Sequence, residues 1–417
     1  MKIAVLGSGV IGVNTAWWLR QAGHDVVVID RAAGPALETS RANGAQLSVS
    51  YAEPWANRRA PLQLLKWLFR DDAPLRFRPR ADVRQWLWNL EFLRQCWRGK
   101  LDDNVRSMVR LSAYSLAVLR QMRTELDIDY HHLERGILTF YRDPADLEQS
   151  QGMADIMRDL GVDRRILGVD EVLALEPALS ALRHRLAGGD YTADDESGDA
   201  WMFTRALAEH ARHAGVEFLF SRQVSRLIAD EGRMVAVQTI SPDGLYEHVC
   251  ADVFVVALGA HSPELVRPLG IACNVYPAKG YSATFRIIHP DAAPTISLTD
   301  HAHKVVYSRL GNQLRMAGTA ELSGFSRALD PGRCAAMKRQ AHELFSSALD
   351  FEDVSFWSGL RPSTPSGVPM IGQTRIANLY LNVGHGTHGW TMAAGSGRAL
   401  ADLISGTVPE PEFPFLG

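Results

Sequence analysis

Cysteine is scarce in this 417-residue chain, which also lacks long apolar runs and an excess of either charge. Its four cysteines lie far apart without a C-x-x-C pair, which argues against a zinc ribbon, an iron–sulfur cluster or a disulfide framework. No apolar run is long enough for a membrane-spanning helix. The balance of 44 basic and 47 acidic residues excludes a general attraction to nucleic acid. Together these absences indicate a cytoplasmic protein.

The N-terminus has the pattern of a βαβ unit. A strand is predicted over Lys2–Leu6, a helix over Val13–Ala22 and a second strand over Asp25–Ile29. Because the first apolar stretch is needed as a strand, it is not predicted to be a signal peptide. A G-x-G-x-x-G motif separates the first strand from the helix, and an acidic residue ends the second strand. In this context the motif predicts dinucleotide binding, although it does not separate NAD from FAD.

Each glycine of the motif has its own expected role. Gly7 permits the tight turn, Gly9 lets the backbone approach a pyrophosphate at the helix N-terminus, and Gly12 permits close packing of helix on strand. Asp30 is expected to accept hydrogen bonds from ribose hydroxyls, and its charge disfavours a 2′-phosphate. The predicted contacts in this unit are Gly7, Gly9, Val10, Ile11, Gly12, Asp30 and Arg31.

Two further segments favour FAD over a nicotinamide cofactor. The stretch Glu38–Ser48 is rich in hydroxyl, amide and glycine groups, which can bind phosphates and let the chain run beside a flat ring. Its alternative is a solvated loop with a helix N-cap at Thr39 or Ser40. Near the C-terminus, a strand predicted over Leu379–Val383 runs into a glycine loop and a helix over Met392–Ile404. This order points a helix N-terminus at an anion or dipole, with an ordinary α/β turn as the alternative.

With these motifs the chain resembles the D-amino acid oxidase superfamily of FAD-dependent flavoproteins from end to end. Within that superfamily it is most similar to the bacterial FAD-dependent D-amino acid dehydrogenases. It departs from them between Asn43 and Tyr51, where they more usually have Ala-Gly before Gln and Pro-Gly before Tyr; this departure bears on substrate preference. The resemblance is carried by Gly7-x-Gly9-x-x-Gly12, Glu38-Thr39-Ser40, Ala42-Asn43, Gln46, Tyr51, Lys279-Gly280-Tyr281-Ser282, Gly359-Leu360-Arg361-Pro362 and Gly384-His385-Gly386-Thr387.

The resemblance implies an α/β fold in two discontinuous domains. Residues 1–59, 191–270 and 354–417 would form a Rossmann-like FAD-binding domain. Residues 60–190 and 271–353 would form a substrate-binding domain with a mixed or antiparallel sheet and helices. Asp194-Asp195-Glu196 is expected to be a loop and helix N-cap. The predicted elements are a helix over Glu196–Ala214 and strands over Val216–Phe220, Ala251–Leu258, Gly136–Tyr141, Tyr281–Ile288, Lys304–Arg309 and Gln313–Ala317.

The resemblance also implies FAD bound without a covalent link. Some relatives attach flavin through a cysteine, but no cysteine follows Cys334 in this chain. The cofactor contacts implied outside the βαβ unit are Thr39, Ser40, Asn43, Gly44, Gln46, Leu47, Val224, Gly259, Gly359, Gly384, Gly386, Thr387, His388, Gly389, Trp390 and Thr391.

The activity implied is oxidation of D-amino acids to 2-oxo acids and ammonia, by hydride transfer from Cα to flavin N5. Electrons would then pass to a quinone or another carrier. Holding Cα–H over the flavin requires a clamp for the substrate carboxylate, for which a bidentate arginine is suited. Arg361 matches the family's carboxylate-binding arginine. Arg309 is a second candidate, with a surface position as its alternative. Tyr51 and Tyr281 are expected to hydrogen-bond the carboxylate or wall the pocket, with packing in the core as the alternative for each.

Two histidines of the C-terminal glycine loop complete the candidate site. His385 is expected to contact flavin or substrate, and His388 flavin or the protein interior. A metal site is not predicted, because the loop offers no third ligand. Lys279 is expected to be solvated.

Three other functions fit parts of the pattern. One is an oxidase of glycine, sarcosine or D-proline-like amines that reduces oxygen. Another is a flavin-bearing subunit that needs a partner to act. A nicotinamide-dependent dehydrogenase is the third.

Residues 53–100 are rich in tryptophan and basic residues. They contain half of the ten tryptophans and eleven Lys or Arg against five acids. Amphipathic helices of this composition suit the inner face of an anionic membrane, where a quinone would be reduced. The equal alternative is a helical lobe whose tryptophans pack inward.

Overall fold

The computed structural model of the chain describes residues 1–58, 60–62, 74–97 and 100–417. In these residues the α-helices are Val10–Gln21, Val83–Trp97, Leu101–Leu126, Pro144–Asp159, Val169–Leu175, Ala200–His213, Ser262–Val266, Pro331–Phe345 and Gly389–Ile404. The strands are β1 (Lys2–Leu6), β2 (Asp25–Ile29), β3 (Gln46–Leu47), β4 (Leu75–Phe77), β5 (Ile137–Tyr141), β6 (Arg164–Leu167), β7 (Gly188–Thr192), β8 (Glu196–Ser197), β9 (Glu217–Leu219), β10 (Gln223–Asp230), β11 (Arg233–Ile240), β12 (Tyr246–Val249), β13 (Val253–Val256), β14 (Tyr276–Ile287), β15 (Ser297–Asp300), β16 (Val305–Leu310), β17 (Gln313–Leu322), β18 (Leu349–Ser363), β19 (Met370–Gln373) and β20 (Leu379–Val383).

The first sheet contains the predicted βαβ unit at its centre. Its strand order is β19-β20-β13-β1-β2-β9, and all neighbours are parallel except β19 and β20. Residues Ile3 to Leu6 of β1 are fully buried, as expected for a central strand with both faces covered. The helix Val10–Gln21 packs on this sheet and against the helix Gly389–Ile404. This architecture confirms a Rossmann-like half of the fold.

The second sheet is mixed, as predicted for the other half. Its strand order is β18-β14-β17-β16-β15-β5-β7-β6, and β4 pairs with β17. Its neighbours are antiparallel apart from the parallel pairs β5–β15 and β4–β17. The long strands β14 and β18 pair through most of their length, which places the Lys279–Ser282 and Gly359–Pro362 motifs on neighbouring strands.

Two predicted elements are wrong near Glu196. The helix predicted from Glu196 begins at Ala200, where the Asp199 carboxylate caps it by accepting from the N–H groups of Trp201 and Met202. Glu196 instead belongs to β8, which pairs with β3. Its buried carboxylate binds Arg120 and Arg123 of the helix Leu101–Leu126, so long-range ion pairing overrides local helical propensity.

The domain boundaries stay a prediction. Strands of the first sheet lie within the segments assigned to FAD, and most strands of the second sheet lie within the other segments. Two strands cross the proposed limits, because β7 runs through residue 190 and β18 through residue 353.

The tryptophan-rich segment lies partly outside the described residues, since 59, 63–73 and 98–99, including Trp67, are not among them. Trp88 packs inward, stacked on Phe92, and donates to the carbonyl of Ser363. Trp86 and Trp97 are exposed. Among the described helices, none combines the length and the apolar character needed to cross a membrane.

Candidate active site

One elongated cavity of about 760 Å³ connects the two sheets. It begins at the turn after β1, passes the segment between β2 and β3, and ends against β14, β17 and β18. It is thus lined by glycines at one end and by strand side chains at the other.

The nucleotide end of the cavity is formed by backbone that admits no side chain. Gly7 has a φ of 109°, and a Cβ added to it would lie 2.5 Å from the carbonyl oxygen of Ala257. A Cβ on Gly12 would lie 1.9 Å from the oxygen of Gly7. Gly12 therefore serves helix–strand packing, as predicted, and does not line the cavity. Gly9 precedes the first helical turn and leaves that turn open to the cavity.

Asp30 lies at the mouth of the glycine turn. Its Oδ2 accepts from the N–H of Ser8 at 2.6 Å and from the hydroxyl of Ser8 at 2.7 Å, and Oδ1 accepts from the N–H of Ala32. It lines the cavity, so the carboxylate both fixes the turn and faces a ligand there. Arg31 also lines the cavity and is paired with Glu38.

The segment from Thr39 to Leu47 is held between the sheets and is not a solvated loop. The hydroxyl of Thr39 donates to the carbonyl of Leu360, and that of Ser40 accepts from the N–H of Val10. Gln46 donates to hydroxyls of β15. Leu47 is fully buried and does not line the cavity, because successive side chains of a strand face opposite sides.

Asp195 holds the next part of this segment, and sequence reasoning missed it. Its buried carboxylate accepts from the hydroxyls of Ser48 and Ser50 and from the N–H of Val49. Burial raises the pKa of Asp195. The predicted loop is confirmed for Asp194 and Asp195, but the predicted N-cap role is wrong, since Asp199 is the cap. Asp195 instead sets the backbone that carries Tyr51 into the cavity wall.

The C-terminal glycine loop brings two neutral histidines to the cavity. Burial lowers the pKa of His385 to about 3 and that of His388 to about 4. Neither ring nitrogen of His385 has a hydrogen-bond partner among the described residues. Gly384 has a φ of 86° and does not line the cavity; a Cβ there would lie 2.6 Å from Cγ2 of Thr364. Gly384 thus shapes the loop, and His385 faces the cavity with unused polar atoms.

Arg361 is a half-buried cation in the opposite wall. Its Nη1 donates to the carbonyl of Thr319 at 2.7 Å and its Nη2 to that of Gly318 at 3.4 Å. Gly280 leaves the room for it, since a Cβ there would lie 2.3 Å from the guanidinium carbon. Burial lowers the pKa of Arg361 to about 10. Carbonyls alone do not neutralise a buried guanidinium, and no carboxylate in the described part of the chain pairs with it.

The two predicted tyrosines also line the cavity. The hydroxyl of Tyr281 donates to Glu321, which also pairs with the buried Lys279 at 3.3 Å. Lys279 is therefore not solvated, contrary to expectation. Burial raises the pKa of Tyr51 well above its usual range, so Tyr51 stays a neutral hydroxyl.

Arg309 is not part of the cavity wall. Its guanidinium donates to the carbonyls of Gly311 and Pro290 at the end of β16. Arg309 therefore takes the alternative position away from the candidate site, near the end of β16 and outside the cavity wall.

The chain matches the FAD dependent oxidoreductase (DAO) family over residues 2–403. It belongs to this family. It is 51% identical to a D-amino acid dehydrogenase of Dechloromonas aromatica over 416 residues, which covers 100% of each chain. It is 47% identical to a D-amino acid dehydrogenase of Paramagnetospirillum magneticum, covering 97% of this chain and 95% of the relative.

Solved structures with the same fold include two amine-oxidising flavoproteins. The glycine oxidase of Bacillus cereus superposes with a TM-score of 0.73 at 22% identity, covering 97% of this chain and 95% of the other. The L-proline dehydrogenase of P. horikoshii superposes with a TM-score of 0.76 at 15% identity, covering 99% and 95%. At these identities the likeness concerns the fold.

Membership of the family makes FAD the cofactor, and the cavity fits it. The glycine turn and Asp30 would hold the ADP half of FAD. The ring nitrogens of His385, which have no partner among the described residues, would hydrogen-bond to the flavin. None of the four cysteines is among the described residues that line the cavity, which favours the predicted non-covalent binding. The predicted contacts that line it are Gly7, Gly9, Val10, Ile11, Asp30, Arg31, Thr39, Ser40, Asn43, Gly44, Gln46, Val224, Gly259, Gly359, Gly386, Thr387, His388, Gly389, Trp390 and Thr391.

Several lining residues escaped the sequence prediction. They include Glu53 and Trp55 from the tryptophan-rich segment, Lys304 just before β16, Thr319 in β17 and Trp357 in β18. No local motif marks them. Only their tertiary positions, on strands for Thr319 and Trp357 and on connecting segments for the others, distinguish them from ordinary residues.

Proposed function

We propose that this flavoprotein oxidises D-amino acids to 2-oxo acids and ammonia and passes the electrons to a quinone or another carrier. The D-amino acid dehydrogenases that it resembles support the substrate class. The observation that carries the proposal is Arg361, a half-buried guanidinium in the cavity wall whose hydrogen bonds go only to carbonyls among the described residues.

Arg361 provides the clamp for the substrate carboxylate. A guanidinium that is buried without a carboxylate is costly, and a substrate carboxylate both neutralises it and satisfies its free N–H groups. Its two bonds to the carbonyls of β17 hold the plane of the guanidinium before substrate arrives, which reduces the entropy lost on binding.

The other residues of this end orient the substrate and limit access of water. Tyr51 and Tyr281 contribute aromatic walls, with the hydroxyl of Tyr281 directed to Glu321. Bound FAD supplies the acceptor for the hydride that leaves Cα. Arg361, His385 and the glycine loop line the same cavity, so a substrate held at Arg361 shares that space with the flavin.

The electron carrier is proposed to be reached at a membrane surface. The helix Val83–Trp97 exposes one apolar face, whose spacing places its members on the same side of the helix. These exposed residues are Val83, Trp86, Leu87, Leu90 and Trp97. Arg94 is exposed on the same face and pairs with Glu91, and Arg84 lies beside it and pairs with Asp82. Basic residues among exposed tryptophans and leucines suit an anionic bilayer.

An anaerobic absorbance spectrum tests the function directly. Purified protein is mixed with D-alanine, other D-amino acids, L-amino acids, glycine and N-methyl amines. The proposal expects D-amino acids to bleach the flavin band, with slow recovery in air and fast recovery with a soluble quinone. Bleaching by glycine or N-methyl amines with rapid recovery in air would favour the oxidase, and a flavin that stays oxidised throughout would favour a subunit that needs a partner.

Liposome co-sedimentation tests the membrane contact. The protein should sediment with anionic vesicles at low salt and be released at high salt. A Trp86→Ser, Leu90→Ser double variant should remain in the supernatant while keeping its rate of flavin reduction. Equal sedimentation of both proteins would contradict a role for this face.

A further inference from the structure

Lys304 is a lysine of the cavity wall that no motif marks. Its Nζ lies 3.1 Å from Nε2 and 3.3 Å from Nδ1 of His301. No carboxylate in the described part of the chain forms an ion pair with it, whereas the neighbouring buried lysine, Lys279, is paired with Glu321. Lys304 thus lines the cavity as a half-buried amine. It lacks, among the described residues, the carboxylate that would stabilise its charged form.

The main chain of Lys304 and the guanidinium of Arg361 both contact Gly318, and both side chains line the same cavity. The carbonyl oxygen of Lys304 is 2.9 Å from the position that a Cβ of Gly318 would take, and the oxygen of Gly318 accepts from Arg361. The pairing of Val305 with Gly318 between β16 and β17 fixes this arrangement. In an amino acid only Cα separates the carboxylate from the nitrogen. A substrate held at Arg361 therefore presents its ammonium close to the clamp.

The surroundings of Lys304 favour its neutral form. Burial lowers the pKa of Lys304 and outweighs the opposing carboxylates. The adjacent His301 stays neutral, because burial lowers its pKa to about 3, with the charges of Lys304 and Arg164 acting in the same direction. The carboxylates that act on Lys304 from neighbouring elements are Glu53, Asp146 and Asp300.

We propose that Lys304 is the general base that removes a proton from the α-ammonium group of the bound D-amino acid. One N–H bond of the substrate breaks, one forms at Nζ, and the lone pair stays on the substrate nitrogen, so no electrons are exchanged with the protein. That lone pair stabilises the cation that develops when hydride leaves Cα. An ammonium has no lone pair to give. This role rests on the proposed function and adds a catalytic residue to it.

Three variants separate a base from a structural or merely cationic residue. Lys304→Ala removes the amine and leaves space, and Lys304→Arg keeps a cation that does not lose its proton. Lys338→Ala, on the helix Pro331–Phe345, is the matched control. Flavin content is measured first, and Lys304→Met, which keeps the chain length, replaces any variant that lacks flavin. Anaerobic stopped-flow then gives the rate of flavin reduction by D-alanine from pH 6 to pH 10.

A base predicts one pattern in these data. Lys304→Ala and Lys304→Arg should both reduce flavin about 100-fold more slowly at neutral pH, within the usual contribution of a general base. The deficit should shrink as pH rises, because the free amino acid then loses its proton in solution. Added methylamine should restore part of the rate of Lys304→Ala and leave Lys304→Arg unchanged. Lys338→Ala should match the wild type throughout.

Other results would overturn the role of Lys304. A near-normal rate in Lys304→Ala removes it from the reaction. An active Lys304→Arg assigns it to charge recognition, and a deficit that is constant in pH and insensitive to methylamine assigns it to structure. The wild-type protein distinguishes the two proposals: if its flavin is not reduced by any D-amino acid, the function itself fails and Lys304 with it, whereas normal wild-type reduction with an unaffected Lys304→Ala rejects the base alone.

Discussion

The two ends of the cavity are built in different ways. At the nucleotide end the wall is a short run of the chain, Gly7 to Ile11, closed by the carboxylate of Asp30, which follows the next strand. At the substrate end the wall is a set of side chains from strands that are distant in sequence, among them Tyr281 from β14, Lys304 before β16 and Arg361 from β18. A site formed by backbone requires particular residues close together in the sequence, so it can be recognised as a motif. A site formed by side chains of several strands depends on how those strands pair, which no short motif records.

The difference has an experimental consequence. Changes at the first end should remove the cofactor or the fold around it. Changes at the second end should leave a yellow, folded protein that handles substrate poorly. Three substitutions test this division, in order of expected effect.

Gly12→Ala should cause the largest loss. The added Cβ would overlap the oxygen of Gly7, so the helix Val10–Gln21 cannot keep its distance from β1. We expect little soluble protein with bound flavin and a strong fall in the midpoint of thermal unfolding. Gly152→Ala is the control, because that glycine lies in the helix Pro144–Asp159 with open space around its Cβ position. It should be neutral or stabilising by up to about 1 kcal/mol. Equal behaviour of the two variants would contradict the packing role of Gly12.

Arg361→Ala should be nearly as severe for catalysis but harmless to the cofactor. Loss of one partner of a desolvated charge pair costs about 2–5 kcal/mol, so kcat/KM for D-alanine should fall about 30-fold or more, mainly through KM. Arg309→Ala should keep wild-type kinetics, because its guanidinium binds carbonyls away from the cavity. Steady-state kinetics with a soluble quinone and the flavin absorbance measure both effects. Flavin loss in Arg361→Ala would break the division between the two ends.

Asp30→Ala should have the smallest effect of the three. It removes the acceptor of the Ser8 bonds and of the expected ribose contact, so the Kd for FAD should rise about 10-fold, equivalent to about 1.4 kcal/mol. Turnover at saturating FAD should be unchanged. Asp25→Ala, at the exposed start of the same strand, is the control. Titration of flavin-free protein by fluorescence gives both constants, and an unchanged Kd in Asp30→Ala would contradict the ribose role.

Local sequence patterns predicted the first sheet well. The strands Lys2–Leu6, Asp25–Ile29 and Leu379–Val383 have the predicted bounds, because buried parallel strands are short apolar runs between clear breaks. The helix predicted from Glu196 begins at Ala200, where Asp199 caps it. Glu196 instead lies in a strand and pairs with Arg120 and Arg123, which are far away in the chain.

The site was predicted in the same uneven way. Arg361 and Arg309 both lie in strands of the second sheet, yet only Arg361 lines the cavity. Lys279 was expected in solvent and is buried against Glu321, while Lys304 was not singled out at all. Which of two similar side chains faces a ligand depends on strand register, and register is set by neighbours that are remote in sequence.

The sequence by itself thus determined the Rossmann-like half of this protein and its family. The Rossmann-like half depends on backbone geometry that only glycine permits at a position such as Gly7, so a short stretch of sequence is enough to recognise it. Tertiary structure alone decided the substrate wall: the place of Lys304 beside Gly318, the support of Tyr51 by Asp195 and the exclusion of Arg309. The physical reason is that side-chain contacts between distant strands exist only once the chain has paired them.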